Sequence, residues 1–343
     1  MSTRPLSLSI KMATYLLKQR VKKVDKFAIT LFIEPLELCN LECEGCGRIR
    51  EYADVMHMKL SVADCLRVAN EVDAPIVTIP GGEPLIHPEI ELIVDGLVAQ
   101  GRFVYMCTNG LLLEKKLPKF KATEQFCIVV HMDGMKEQHD KAVCRPGVFD
   151  KAVKAMRSAI DQGFRVCTNT TIYKETDPAD TAELFQFLTD DIGVEGCIVA
   201  PGYDYEAAEI GFAPGRTMED VFLPREEAQK VFRDVRKRSG EKVRFYNNPL
   251  YLEFLEGKRQ YQCAAWTSPT YTVRGWRSPC YLLADKHVGS WQELLGDTKW
   301  DAYGFGRDPR CANCMMHCGY ESATLLEAFK HPRDLLKLAS VAA

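Results

Sequence analysis

Cys39-Asn40-Leu41-Glu42-Cys43-Glu44-Gly45-Cys46 sets three thiols at C-x3-C-x2-C spacing on a loop that follows an apolar run. Three thiolates can take three corners of a cubane iron–sulfur cluster and leave the fourth iron open to a small ligand; a structural zinc site closes its metal with four ligands. The spacing predicts a cluster loop with an open corner, with a structural metal knuckle as the alternative. The preceding run, Ala28 to Glu34, is apolar and β-branched and reads as a strand, so the loop is expected at that strand's C-terminal end.

A chain of 343 residues is long enough for one large α/β barrel with an appendage. Its net charge of -3 carries no electrostatic footprint of a nucleic-acid partner. Fourteen cysteines would fit a disulfide framework only in a small secreted domain. This chain has ample apolar material and opens Met-Ser-Thr-Arg with no signal-peptide core, so the thiols are assigned to metal and redox work in the cytoplasm. No apolar run approaches the length of a membrane span. Residues 1–26 stand apart: Arg4, Lys11, Lys18, Arg20, Lys22, Lys23 and Lys26 face the single acid Asp25. With Leu8, Met12, Tyr15, Leu16 and Val21 read along one side, this segment is a basic amphipathic helix. It suits peripheral contact with the inner face of the cytoplasmic membrane, or a cap on a barrel.

Further on, strand and helix patterns alternate: helix over 62–72, strand 75–79, helix 92–100, strands 103–106 and 128–132, helix 152–162, strand 165–172, helix 182–190 and strand 197–200. About six βα units imply a parallel, partial (β/α)6 TIM-like barrel over residues 27–204, with functional groups at the strand tips. The tips carry Ile79-Pro80-Gly81-Gly82-Glu83-Pro84-Leu85, where paired glycines let backbone groups approach a ligand. They also carry Cys107-Thr108-Asn109-Gly110, then His131-Met132-Asp133-Gly134, and Cys167-Thr168-Asn169. Strand alternation puts Tyr105, Cys107 and Asn109 on one face, and His131 and Asp133 on another shared face. From 205 to 343 the pattern weakens. Tyr203, Tyr205 and Phe212 sit in a stretch without periodicity, and aromatics accumulate around five cysteines, Cys263, Cys280, Cys311, Cys314 and Cys318. Their grouping points to a second metal site, with iron–sulfur cluster and zinc both open and one thiol more than four ligands require.

The cysteine loop and the Gly81-Gly82-Glu83-Pro84 element together resemble the radical S-adenosylmethionine (SAM) enzymes. The resemblance implies a [4Fe-4S] cluster on Cys39, Cys43 and Cys46. It implies SAM held near Gly81, Gly82, Glu83, Pro84, Asn109, His131, Asp133 and Asn169, and a cellular electron donor such as flavodoxin or ferredoxin. The late cysteines resemble the shortened auxiliary-cluster extension called twitch. Finer motifs, among them Pro279-Cys280-Tyr281-Leu282-Leu283 and Cys311-Ala-Asn-Cys314-x3-Cys318-Gly319-Tyr320-Glu321, are similar to the adenosylhopene synthase family of hopanoid biosynthesis. That likeness implies addition of the 5′-deoxyadenosyl radical to the alkene of diploptene, a triterpene, giving a carbon radical that must acquire a hydrogen atom; Cys107, whose strand face is expected to look into the chamber, is the thiol assigned as donor. Two rivals stand beside it: a radical enzyme acting on a peptide or sugar, and a non-catalytic metal-binding scaffold.

Overall fold

The computed structural model describes residues 4–204 and 206–342, so Tyr205 lies outside the described residues. Short β-branched and apolar runs form six parallel strands: β1 (Thr30–Ile33), β2 (Ile76–Ile79), β3 (Phe103–Thr108), β4 (Phe126–His131), β5 (Arg165–Ile172) and β6 (Cys197–Pro201). They lie side by side in sequence order. The connecting helices include α2 (Val62–Val72), α3 (Ile90–Ala99), α4 (Val148–Asp161) and α5 (Pro178–Phe187). Alternation along the strands divides the side chains in two. Leu31, Ile33, Val77, Ile79, Val104, Met106, Ile128 and Val130 join the helices in one core. Phe103, Tyr105, Cys127, Val129 and Cys167 line the other, concave face.

The basic N-terminal segment forms α1 (Leu6–Val21), which closes the floor of this concave face. Leu8 packs with Phe103 and Tyr105, while Tyr15 and Leu16 pack with Ile29 and approach Leu326 and Phe329. The Tyr15 hydroxyl donates to the Ala28 carbonyl at 2.7 Å, and Lys11 Nζ to the Gly101 carbonyl at 2.6 Å. This corrects the reading of Leu8, Met12, Tyr15 and Leu16 as a membrane face: an apolar barrel floor must be covered, and that side covers it. Among the described residues no helix is long and apolar enough to cross a membrane.

Residues beyond 205 are not a separate layer. β7 (Thr270–Thr272) pairs parallel with β1, and β8 (Gly275–Pro279) and β9 (Ala284–Val288) follow antiparallel, making one nine-stranded sheet. At the opposite edge, Cys197 N–H donates to the Arg244 carbonyl and Tyr246 N–H to that of Cys197, both at 2.8 Å. Helix α6 (Arg225–Ser239) precedes this strap. Helix α7 (His317–Ala328) joins the two edges. Glu321 accepts from Asn248 N–H at 2.8 Å, Ala264 N–H donates to the Gly319 carbonyl at 3.0 Å, and the His317 ring lies 6.3 Å from that of Phe32 on β1. The partial barrel is thus held at both edges by the C-terminal half.

Candidate active site

Cys39, Cys43 and Cys46 lie on the loop leaving β1, all three half-buried and free of disulfides. The loop is held from several sides. Arg50 donates to the carbonyls of Cys43, at 2.9 Å, and of Cys46. Asn109, at the tip of β3, donates to Asn40 Oδ1 at 2.7 Å and stands 3.9 Å from Cys39 Sγ. Asn109 therefore faces the cysteine loop. Burial pushes the Cys39 thiol up to about 11 and Cys43 further, so a metal that takes these sulfurs must displace protons.

The tip of β2 fits against the stem of this loop. A Cβ on Gly81, whose φ is +110°, would meet the Leu36 carbonyl oxygen at 2.5 Å, and one on Gly82 would collide with the carbonyls of Glu37 and Leu38. The side left open by the glycines is filled by the chain's own backbone leading into Cys39. Gly82 N–H donates to Leu36 O at 3.1 Å and Glu83 N–H to Leu38 O at 2.9 Å. The Glu83 carboxylate turns away and accepts from Thr108 Oγ1 and Asn109 N–H, both at 2.8 Å, and from Leu85 N–H at 3.0 Å. It is a latch between strand tips; burial pushes it up to about 7 against those three donors. Pro84 is buried at the start of the turn Pro84–Ile86. Gly82→Ala is expected to displace residues 36–38 and to lower cluster incorporation several-fold, read as iron per chain, while far-UV circular dichroism stays unchanged.

His131, Asp133 and Asn169 come together at the tips of β4 and β5. His131 Nε2 lies 2.7 Å from Asp133 Oδ2, Asn169 Nδ2 lies 3.3 Å from His131 Nδ1, and Asp133 Oδ1 accepts from Thr171 N–H at 2.8 Å. Burial disfavours charge on His131, but Asp133 outweighs it and raises the imidazole above its usual value. Asn169 Oδ1 is buried with no hydrogen-bond partner. Behind them, buried His139 accepts from Asp133 N–H through Nδ1 at 3.1 Å, which requires that nitrogen to be unprotonated. Burial, then the neighbouring His131, lowers His139 from 6.5 to about 4. A base whose folded pKa is depressed favours folding above its unfolded pKa and loses that contribution as pH falls. Between pH 6.5 and 4 this group is expected to remove about 3 kcal/mol of stability. Urea unfolding at several pH values should show the loss in the parent chain and a flatter profile in His139→Gln.

Cys107 lies on the concave face with Tyr105 and Cys127, two residues below Asn109 or about 7 Å along the strand. Burial pushes its thiol up to about 12. Phe32 and Tyr281 form part of the same wall, their rings 5.2 Å apart.

A buried charge cluster beside this wall went unread in the sequence. Glu34 and Glu37 are wholly buried; Arg48 Nε lies 3.0 Å from Glu34 Oε1, and its guanidinium stacks 4.5 Å from the Tyr281 ring. Arg277 donates to Glu51 at 2.6 and 2.9 Å, to the Tyr52 hydroxyl at 2.9 Å and to the Leu282 carbonyl at 2.8 Å. Burial raises both glutamates, Glu37 to about 9. An acid at the inward position of an apolar strand, as in Leu31-Phe32-Ile33-Glu34, was the available signal.

All five late cysteines line one cavity, with Tyr203, Leu282, Leu283 and Tyr303. None is in a disulfide, and burial holds each thiol above its usual value. Among the described residues, the set of three or more metal-ligating side chains whose ligand atoms lie within 4.8 Å of one another is Cys127, Cys167 and Glu195. Four thiolates on one zinc, each about 2.3 Å from it, stand roughly 3.8 Å apart. The five thiols gathered around one cavity are compatible with an auxiliary iron–sulfur cluster, with zinc as the other metal that takes such ligands. Glu195 is already paired with Arg165 at 2.7 and 2.8 Å, which weakens that third set as a cation site.

Residues 33–188 match the family described as the radical SAM superfamily, and residues 197–338 match a domain of unknown function, DUF3463. Among curated proteins, GTP 3′,8-cyclase 1 of Mycobacterium tuberculosis is 27% identical over 169 residues, 46% of this chain and 47% of that protein. Fe-coproporphyrin III synthase of Methanosarcina barkeri is 24% identical over 161 residues, 45% of this chain and 39% of that protein. The chain spans about half the length of the curated relatives it matches. Among solved structures, Streptococcus suis SuiB bound to its precursor peptide SuiA superposes with a TM-score of 0.66 at 14% identity, over 93% of this chain and 76% of that one. The fold is that of a radical SAM domain with its partial barrel. The likeness to adenosylhopene synthases is not upheld: these relatives carry other names, and the half that bore the distinguishing motifs falls in a domain without assigned function.

Proposed function

We propose, starting from the radical SAM domain at residues 33–188, that the chain is a radical SAM enzyme. Cys39, Cys43 and Cys46 would hold a [4Fe-4S] cluster whose fourth iron takes the amino and carboxylate groups of SAM. The observation that carries this reading is the three-thiol loop at the C-terminal end of β1, packed on Gly81 and Gly82 and faced by Asn109. When bound, cluster and SAM together supply a primary carbon radical at the adenosyl C5′. The chain's own residues do the rest. Asn109 and Arg50 orient the loop, Asn169 Oδ1 offers an unsatisfied acceptor to the cofactor, and Phe32, Tyr105 and Tyr281 keep water from the chamber. Anaerobic reconstitution, reduction and addition of SAM should yield 5′-deoxyadenosine and methionine in equal amounts; their absence overturns the assignment.

The substrate is proposed only as a small molecule entering the concave face. Addition to the alkene of diploptene rested on the adenosylhopene synthase likeness and is dropped with it. In the five-cysteine cavity the proposed occupant is an auxiliary iron–sulfur cluster. Cys107 is assigned as hydrogen-atom donor: its S–H bond breaks, a stronger C–H bond forms on the substrate radical, and the sulfur radical regains a proton and one electron from a donor such as flavodoxin or ferredoxin. Cys107→Ala should leave SAM cleavage within about twofold and cut the hydrogenated product at least about tenfold, measured by mass spectrometry in deuterated buffer.

A further inference from the structure

Helix α1 is apolar on two sides. Its inner side closes the barrel floor, yet Leu6, Ile10, Leu17 and Val21 on the outer side are 66, 59, 59 and 73% exposed. Ala13 is exposed among them. At about 100° per residue these five positions fall within an arc of roughly 80°, facing away from Leu8 and Tyr15. Scattered exposed leucines are ordinary, but a row running the length of a 16-residue helix is an interaction surface.

The charges around the row select its partner. Arg20 borders it on one side and Lys18, which also lies 3.8 Å from Asp73, on the other; Lys22, Lys23 and Lys26 follow the helix and are exposed. No acidic residue occurs between Arg4 and Val24. A second copy of the chain would therefore bring the row a matching helix of like charge, with no carboxylate on it to pair with the cations. An anionic lipid surface supplies both an apolar layer and negative head groups.

We propose that the outer face of α1 docks this protein on the surface of an anionic bilayer. Leu6, Ile10, Leu17 and Val21 enter the head-group boundary, and Lys18, Arg20, Lys22 and Lys23 meet the phosphates. Because α1 covers the floor of the barrel, docking turns the cysteine loop, at the other end of the strands, away from the lipid. The surface thus anchors the chain without feeding the chamber, and the proposal is independent of the reaction catalysed.

The test is sedimentation of the full chain with vesicles of phosphatidylcholine alone or mixed with phosphatidylglycerol. Retention on the anionic vesicles is expected to exceed that on neutral ones by at least about tenfold and to fall at about 0.5 M salt. Ile10→Ser combined with Leu17→Ser should reduce that retention by at least about tenfold, with thermal unfolding unchanged because both side chains are exposed. Equal retention of the double variant, or no retention of the parent chain on anionic vesicles, overturns the proposal. So does a dimer in light scattering that the same two substitutions dissociate, which would give the row to a second copy.

Discussion

Cys43→Ala is expected to abolish 5′-deoxyadenosine formation and to lower bound iron from about eight to about four atoms per chain, the remainder held by the five-cysteine cavity. The two thiols left on the loop can hold only two corners, too few to keep a cubane in place. The fold should persist, because the loop's other anchors, Asn109 to Asn40 at 2.7 Å and Glu83 N–H to Leu38 O at 2.9 Å, do not pass through that sulfur. Urea unfolding close to that of the parent chain, with activity below detection, is the expected pair of results. Residual SAM cleavage would show that Cys43 is not a ligand.

Arg277→Met should be the most destabilising single change considered, by about 3–5 kcal/mol in urea unfolding. The Arg277 side chain is wholly buried and neutralises Glu51 through two hydrogen bonds, with Glu34 and Glu37 also raised by burial nearby. Removing the guanidinium takes both hydrogen bonds from Glu51 and leaves Arg48 to face Glu34 and Glu51. It also releases the Leu282 carbonyl, two residues beyond Cys280, so the five-cysteine cavity should lose iron as well. A loss below about 1 kcal/mol would mean that Arg48 alone balances the cluster.

Much of the barrel was legible because parallel strands buried on both faces read as short apolar runs, and because α2 begins and ends where its spacing says. Ser61 caps its first turn, accepting from Asp64 N–H, and Asp73 ends it in a left-handed conformation. The three-thiol loop and the shared faces of Tyr105 and Cys107, and of Cys127 and Val129, follow from the same alternation. β7 to β9 were not legible. They are three to five residues long, without an extended apolar or alternating pattern, and take strand form because β7 pairs with β1 and carries β8 and β9 behind it. Glu83 was read through its motif as a cofactor contact; what went unread is that two of the three donors to its carboxylate, Thr108 Oγ1 and Asn109 N–H, come from the tip of the next strand, a relation no local spacing encodes. Of the outer row of α1 only Val21 was read, and it was placed with the inner side. Apolar residues on both sides of a helix blur its amphipathic pattern, and only packing shows which side is already used.

The central claim is an iron corner left open by three sulfur donors. Asp133 and Cys144 are the candidates to close it: after burial and the Cys46 thiol, Asp133, then Cys39 and then Cys144 contribute to the raised pKa of Cys43. Electron–nuclear double resonance on the reduced, reconstituted chain with SAM labelled with nitrogen-15 at the amino group tests this directly. A nitrogen-15 hyperfine coupling to the cluster is the expected result. A spectrum unchanged by the labelled molecule, with the fourth iron already held by a protein side chain, would contradict it.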